Sequence, residues 1–184
     1  MSITEQQQTI LPTGRYGADR VHSSLAFEVE YMGIGAFGGT VTDFEATLED
    51  GRLSGSARIE SLETKDENLY AHLMSPEFFD AERHPVVSFS TEHAAVAGSA
   101  VELQGEITIK GITRPATLTG TATGPAVDHF GANRLGLQLS TTVDRTAFDI
   151  NWNMPLPNGE PALSNDVTLK AELTLVAQDE QTEA

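Results

Sequence analysis

Hydrophobic and polar residues alternate with a period of two along most of the chain, the signature of strands buried on one face. Leu25, Phe27, Val29 and Tyr31 interleave with Ser24, Ala26, Glu28 and Glu30. The same beat recurs over 44–49, 53–59, 101–109, 135–143 and 167–175. Asp50-Gly51 separates the second and third of these runs, and both residues accept the positive φ of a tight hairpin turn. Weaker runs at about 14–19, 86–93 and 115–123 bring the expected strands to eight or nine. One stretch breaks the period. Leu69 and Leu73 lie four apart behind Asp66, which predicts a short helix over Asp66–Met74 with Asp66 as its N-cap. Ser75-Pro76 favours a second helical turn that presents Phe78 and Phe79.

Many one-sided strands with short turns and a single helical insertion, at about 66–80, describe an all-β antiparallel barrel of about eight strands. Strict alternation on early and late strands alike is what closure around one interior demands. The inward face mixes large residues with Ala46, Gly55, Ala57, Gly105 and Ala171. Small inward residues either fit a tapered, filled core or leave a lumen, and the pattern alone leaves both open. The barrel is expected over 13–177 as one domain. Segments 1–12 and 178–184 are polar and aperiodic, so they read as loose ends.

Charge and composition narrow the function. Eleven Lys and Arg against 27 Asp and Glu give a net charge of −16, which disfavours nucleic acid and anionic membrane surfaces. The chain has no cysteine, so thiol catalysis, thiolate metal sites and disulfides drop out. No apolar run spans a bilayer, and the polar start lacks the pattern of a secretory signal. The expected location is cytoplasmic. The five histidines (His22, His72, His84, His93 and His129) show no metal-ligand spacing, and no metal or organic cofactor is expected. Gly33-Ile34-Gly35-Ala36-Phe37-Gly38 matches G-x-G-x-x-G, but strand-like Gly39-Thr40-Val41-Thr42 follows where a dinucleotide site needs a helix. It reads as a flexible connection between strands. His22 and Ser23 are adjacent, so on extended chain they face opposite ways and do not form a nucleophile–base pair.

Asp144 to Trp152 stands apart, with Arg145, two carboxylates, Phe148 and Trp152 directly after a strong strand. Two readings compete: an internal salt bridge holding one end of a barrel, or a polar mouth with aromatic walls for an amphipathic ligand with an anionic head.

Four separated blocks resemble the YceI-like, polyisoprenoid-binding family. They are Asp19-Arg20-Val21-His22-Ser23-Ser24-Leu25-Ala26-Phe27; then His72-Leu73-Met74-Ser75-Pro76-Glu77-Phe78-Phe79-Asp80 with His84-Pro85 and Phe89; then Gly105-Glu106-Ile107-Thr108-Ile109-Lys110-Gly111-Ile112-Thr113; and Asp144-Arg145 with Phe148. The likeness runs from Tyr16 to about Val176. It implies a lipocalin-like barrel whose hydrophobic tunnel takes up an isoprenoid or similar lipid tail, frequent homodimers, and no catalytic residues. Departures occur at Leu69-Tyr70-Ala71, where many members carry an Arg-Asp pair, and at Tyr31, where a His is common.

On that resemblance the expected tunnel walls are Phe27, Phe37, Phe44, Phe78, Phe79, Phe89, Leu103, Ile107, Leu137, Phe148 and Trp152. His22 and Arg145 are expected at its polar end. The implied role is a non-catalytic carrier of a polyprenyl pyrophosphate or isoprenoid quinone. The alternatives are a carrier of fatty-acid-like lipids, or an enzyme acting on an isoprenoid through His22, Asp144 and Arg145.

Overall fold

The computed structural model describes residues 11–178. Eleven strands make one antiparallel sheet: β1 (Arg15–Ala18), β2 (Ser24–Tyr31), β3 (Gly35–Val41), β4 (Phe44–Glu49), β5 (Arg52–Arg58), β6 (Leu62–Glu63), β7 (Val86–Ala97), β8 (Ala100–Ile109), β9 (Ile112–Val127), β10 (Asn133–Asp144) and β11 (Leu163–Ala177). Their order is β1-β4-β5-β7-β8-β9-β10-β11-β2-β3-β6, and β1 also pairs with β11. That extra pairing, Tyr16 opposite Ala177, closes eight strands into a barrel. Closure removes the free edges that an open sheet would expose.

One chain segment supplies two neighbours to β11. β1 pairs with its last residues, and β2 pairs with Leu163–Glu172 after the chain bends at 19–23. The bend is pinned where the Asp19 N–H donates to the Thr174 carbonyl at 2.8 Å. Beyond it, β2, β3 and the two-residue β6 form a flap that leaves the closed ring. The helix α1 (Glu67–Met74) follows this flap. Asp66 caps it, its Oδ1 accepting from the Leu69 N–H at 2.9 Å, and Leu73 is buried to 1% exposure. It stops at Ser75 because the residue before a proline is pushed out of helical geometry. The expected second helical turn is a pair of hydrogen-bonded turns instead, with the N–H groups of Phe78 and Asp80 both donating to the Ser75 carbonyl.

Three expectations change. Gly35–Val41 is a strand, not a flexible connection. It carries no alternation because its glycines let it approach β2 closely: a Cβ on Gly38 would lie 2.1 Å from the Phe27 carbonyl oxygen. Tyr31 ends β2 at an exposed hairpin rather than in the core. Leu11 belongs to the core at 6% exposure, although it lies within the segment expected to be loose. The rest of that segment, 1–10, and most of the tail, 179–184, lie outside the described residues. The turn at Asp50-Gly51 is as expected, with φ of 49° and 80°.

Candidate functional site: two cavities in the barrel

The barrel interior is solid at one end. Leu48, Leu103, Leu135, Leu137 and Leu175 are at most 1% exposed there, packed with Tyr16, Phe44 and Leu173. A second apolar cluster gathers at the other end, where Leu73, Phe78, Phe148 and Ile150 pack beneath α1 and the 145–163 segment.

Two cavities lie within. The larger encloses about 980 Å³, counting the space at its opening. Its walls include Leu25, Val41, Phe89, Ile107, Leu118 and Leu173. Ala46, Gly55, Ala57 and Ala171 also line it, and their short side chains leave the space that leucines occupy at the closed end. Gly105, the remaining small inward residue, serves β7 packing instead: a Cβ there would lie 2.0 Å from the Ser90 carbonyl oxygen. The smaller spans about 500 Å³, again counting the space at its opening. Phe27, Phe79, Ile109 and Leu169 line both, so the cavities adjoin. The Phe27 and Phe79 rings meet edge to face at that boundary, 6.2 Å between centroids.

Arg145 lines the smaller cavity. It follows β10 in a single 3₁₀ turn, Arg145–Phe148, capped by Asp144, whose Oδ1 accepts from the Thr146 N–H and hydroxyl. Those hydrogen bonds lower the Asp144 pKa. The carboxylate is therefore turned away, and Arg145 makes no ion pair among the described residues. Its Nε donates to the Ser164 carbonyl at 2.9 Å, and its Nη1 to the carbonyls of Ile150 at 2.9 Å and Trp152 at 2.7 Å. Nη2 is buried without a partner. Burial lowers the arginine's pKa, and the nearby Asp144 charge opposes that shift. Lys110 holds the same region from the β8–β9 turn, its Nζ donating to the carbonyls of Pro76 and Asp149, each at 2.9 Å.

The structure sorts the expected site residues. Phe27, Phe37, Phe78, Phe79, Arg145 and Phe148 line the smaller cavity, and Phe27, Phe79, Phe89 and Ile107 line the larger. Phe44, Leu103 and Leu137 are buried in the larger core cluster and line neither cavity. Trp152 packs on His72 and Phe78 just outside the smaller cavity, with centroids 4.5 and 5.5 Å away. His22 lies outside both cavities, its side chain 65% exposed. Its Nδ1 donates to the Asp19 carboxylate at 2.7 Å, which also accepts from the Arg134 Nη1 at 2.8 Å. These two partners, Arg134 first, hold the Asp19 carboxyl well below the usual carboxylate range. Arg134 also reaches Asp128 at 2.7 Å and, with the Ala132 N–H, lowers its pKa to about 2. This cluster staples the barrel's outer surface.

The wall residues that sequence reasoning missed, such as Leu25, Val41 and Leu169, sit on the same inward register as those it found. Aromatic type was the wrong filter, since register alone marks the lumen face.

Fold and interior together define a closed antiparallel barrel, solid at one end and hollow with apolar walls beyond it. The YceI-like domain model matches residues 16–175, and the chain belongs to that family. A UPF0312 protein of Staphylococcus aureus (strain USA300) is 29% identical over 161 residues, covering 83% of this chain and 92% of the relative. A UPF0312 protein of Photorhabdus laumondii is 24% identical over 140 residues, covering 72% and 73%. Among solved structures, BcnA of Burkholderia cenocepacia superposes with a TM-score of 0.69 at 18% identity, covering 88% of this chain and 99% of its own. A polyisoprenoid binding domain from Saccharophagus degradans superposes with a TM-score of 0.68 at 12% identity, covering 89% and 98%. At these identities the superpositions speak to the shared fold.

Proposed function

We propose that this protein binds and carries an amphipathic isoprenoid lipid, its tail in the larger cavity. The observation that carries the reading is the unfilled apolar space inside a closed barrel, which needs a ligand of matching chemistry to be useful. The name of the Saccharophagus degradans neighbour supports an isoprenoid over other tails. Each methylene moved from water to such walls contributes ~0.8 kcal/mol, so a few isoprene units contribute on the order of 10 kcal/mol before offsets. Loss of tail and whole-body freedom offsets much of that. The carrier role asks for no reacting group. His22, Asp144 and Arg145 do not form one: His22 packs beside Thr174 and Arg145 beside Ser164, separated by a run of β11 about 30 Å long at ~3.3 Å per residue.

Native mass spectrometry of protein purified without added lipid tests the proposal. A retained species of isoprenoid mass, released by organic solvent, is the expected result. Protein that carries nothing and takes up no isoprenoid on incubation overturns it.

A further inference from the structure

We infer that the end of the molecule beside the smaller cavity carries a docking surface for a zwitterionic lipid layer, built from the tips of two adjoining loops. The docking stands on the outer surface alone. Its use, exchange of cargo with that layer, rests on the lipid-binding reading.

The first loop is the β2–β3 hairpin, and the second runs from 150 to 162. Backbone hydrogen bonds set them side by side: the Met32 N–H donates to the Ala162 carbonyl at 2.8 Å, and the Ala162 N–H to the Met154 carbonyl at 2.9 Å. Tyr31, Met32, Ile34 and Met154 stand 45%, 40%, 86% and 58% exposed on these tips. They are half of the eight large hydrophobic residues left exposed among the described residues, gathered in one place rather than scattered. Met32 also sits at φ 57°, in the left-handed region that bulky side chains avoid. Neither solvation nor backbone geometry favours methionine there, whereas burial against an apolar phase does. The same loops wall the smaller cavity from inside, through Val29 and Phe37 on the two arms of the hairpin and Ile150 at the start of the second loop.

Charge and size select the occupant. From Tyr31 to Thr42 the chain carries no charged residue, and from 150 to 162 it carries only Glu160. Glu30 flanks the hairpin, its carboxylate 3.6 Å from where a Cβ on Gly33 would stand. Two carboxylates, no Lys or Arg in either loop and a net charge of −16 repel an anionic leaflet but leave a zwitterionic one accessible. Side chains that protrude singly fit between lipid head groups. Four of them are too few to bury the ~800 Å² per partner of a stable protein interface. A second copy would also bring its own −16 against the first.

Sedimentation with vesicles tests the surface. Wild type is expected to partition onto phosphatidylcholine vesicles roughly tenfold more strongly than Ile34→Ser/Met154→Ser. Equimolar phosphatidylglycerol at low salt is expected to weaken wild-type binding about threefold or more. Phe130, 85% exposed, lies in the β9–β10 turn at the opposite end of β11, so Phe130→Ser is expected to bind as wild type. Circular dichroism checks folding; should the double variant not fold, Ile34→Ser alone decides, with an expected loss of about threefold. Wild type left in the supernatant, binding that needs phosphatidylglycerol, or equal binding by the serine variants overturns the docking surface. So does a wild-type dimer that the double variant dissolves, since the patch then belongs to a second copy. Uptake of a farnesyl-tailed fluorophore from the same vesicles is read in parallel. Docking without uptake keeps the surface and counts against the carrier reading, and uptake without docking does the reverse.

Discussion

β11 crosses two regimes within one strand. Leu175 faces inward at the solid end, 0% exposed, in a layer of leucines contributed by β4, β8 and β10, and Leu173, 4% exposed, stands between that layer and the larger cavity. Leu169 and Ala171 face inward on the same register, yet they are only part-buried because the space in front of them is a cavity. Facing is identical, and side-chain volume opposite makes the difference. At the solid end leucine meets leucine. In the hollow part Ala171 looks across towards Ala46, Gly55 and Ala57, and nothing fills the gap. A barrel of this size can be a core or a container, and a handful of methyl-sized side chains decides which.

That contrast is breakable by mutation. Leu103→Asp, at 0% exposure in the solid end, is expected to abolish cooperative folding, because an unpaired buried charge costs several kcal/mol. Circular dichroism and a urea titration check it. A wild-type melting temperature would show that the solid end is not packed as described. Leu137→Ala, also fully buried there, is expected to cost about 3 kcal/mol while leaving lipid affinity within twofold.

Mutations on the hollow side should invert this pattern. Ala57→Phe fills the larger cavity, so a tenfold or greater loss of isoprenoid affinity is expected with the melting temperature within a few degrees of wild type. Phe79→Ala removes one ring from the boundary between the cavities; a stability cost of about 1–2 kcal/mol is expected, below that of a fully buried aromatic. The opened passage should favour longer tails, read as a shift in the preferred chain length among bound lipids.

The smallest effect concerns the outer staple. Asp128 has its pKa lowered to about 2 from 3.8, chiefly by Arg134. A depressed carboxylate contributes stability that is fully present above its unfolded-state pKa and is lost as pH falls through the folded one. Asp128→Asn should therefore lower the melting temperature at pH 6, and the difference from wild type should shrink progressively between pH 4 and 2. A gap that persists unchanged at pH 2 would mean that the ion pair is not its source.

Alternation was enough to place every long strand except β3, because burial on one face imposes a period that side chains report directly. β3 escaped because its glycines report backbone proximity to β2, and proximity leaves no periodic trace. Asp66, Asp50 and Gly51 announced their cap and turn because those are local interactions. The site was legible in part. Phe27, Phe79 and Phe89 came from facing and motif position, whereas Phe44, Leu103 and Leu137 satisfied the same criteria and line neither cavity.

Phe44, Leu103 and Leu137 even pair with the wall residues Ala57, Leu118 and Leu173, so what separates the two groups is the packing across the interior, which exists only once eight strands close into a ring. The same holds for Arg145. Its position after a strand and beside Asp144 suggested either a salt bridge or a ligand contact. Packing set the salt bridge aside by turning Asp144 towards Thr146 and surrounding the guanidinium with carbonyls from 150, 152 and 164. Strand periodicity, turn chemistry and charge are written residue by residue because they depend on near neighbours. Which inward side chains meet a partner and which meet empty space depends on residues distant in the chain, and only the closed barrel brings those together.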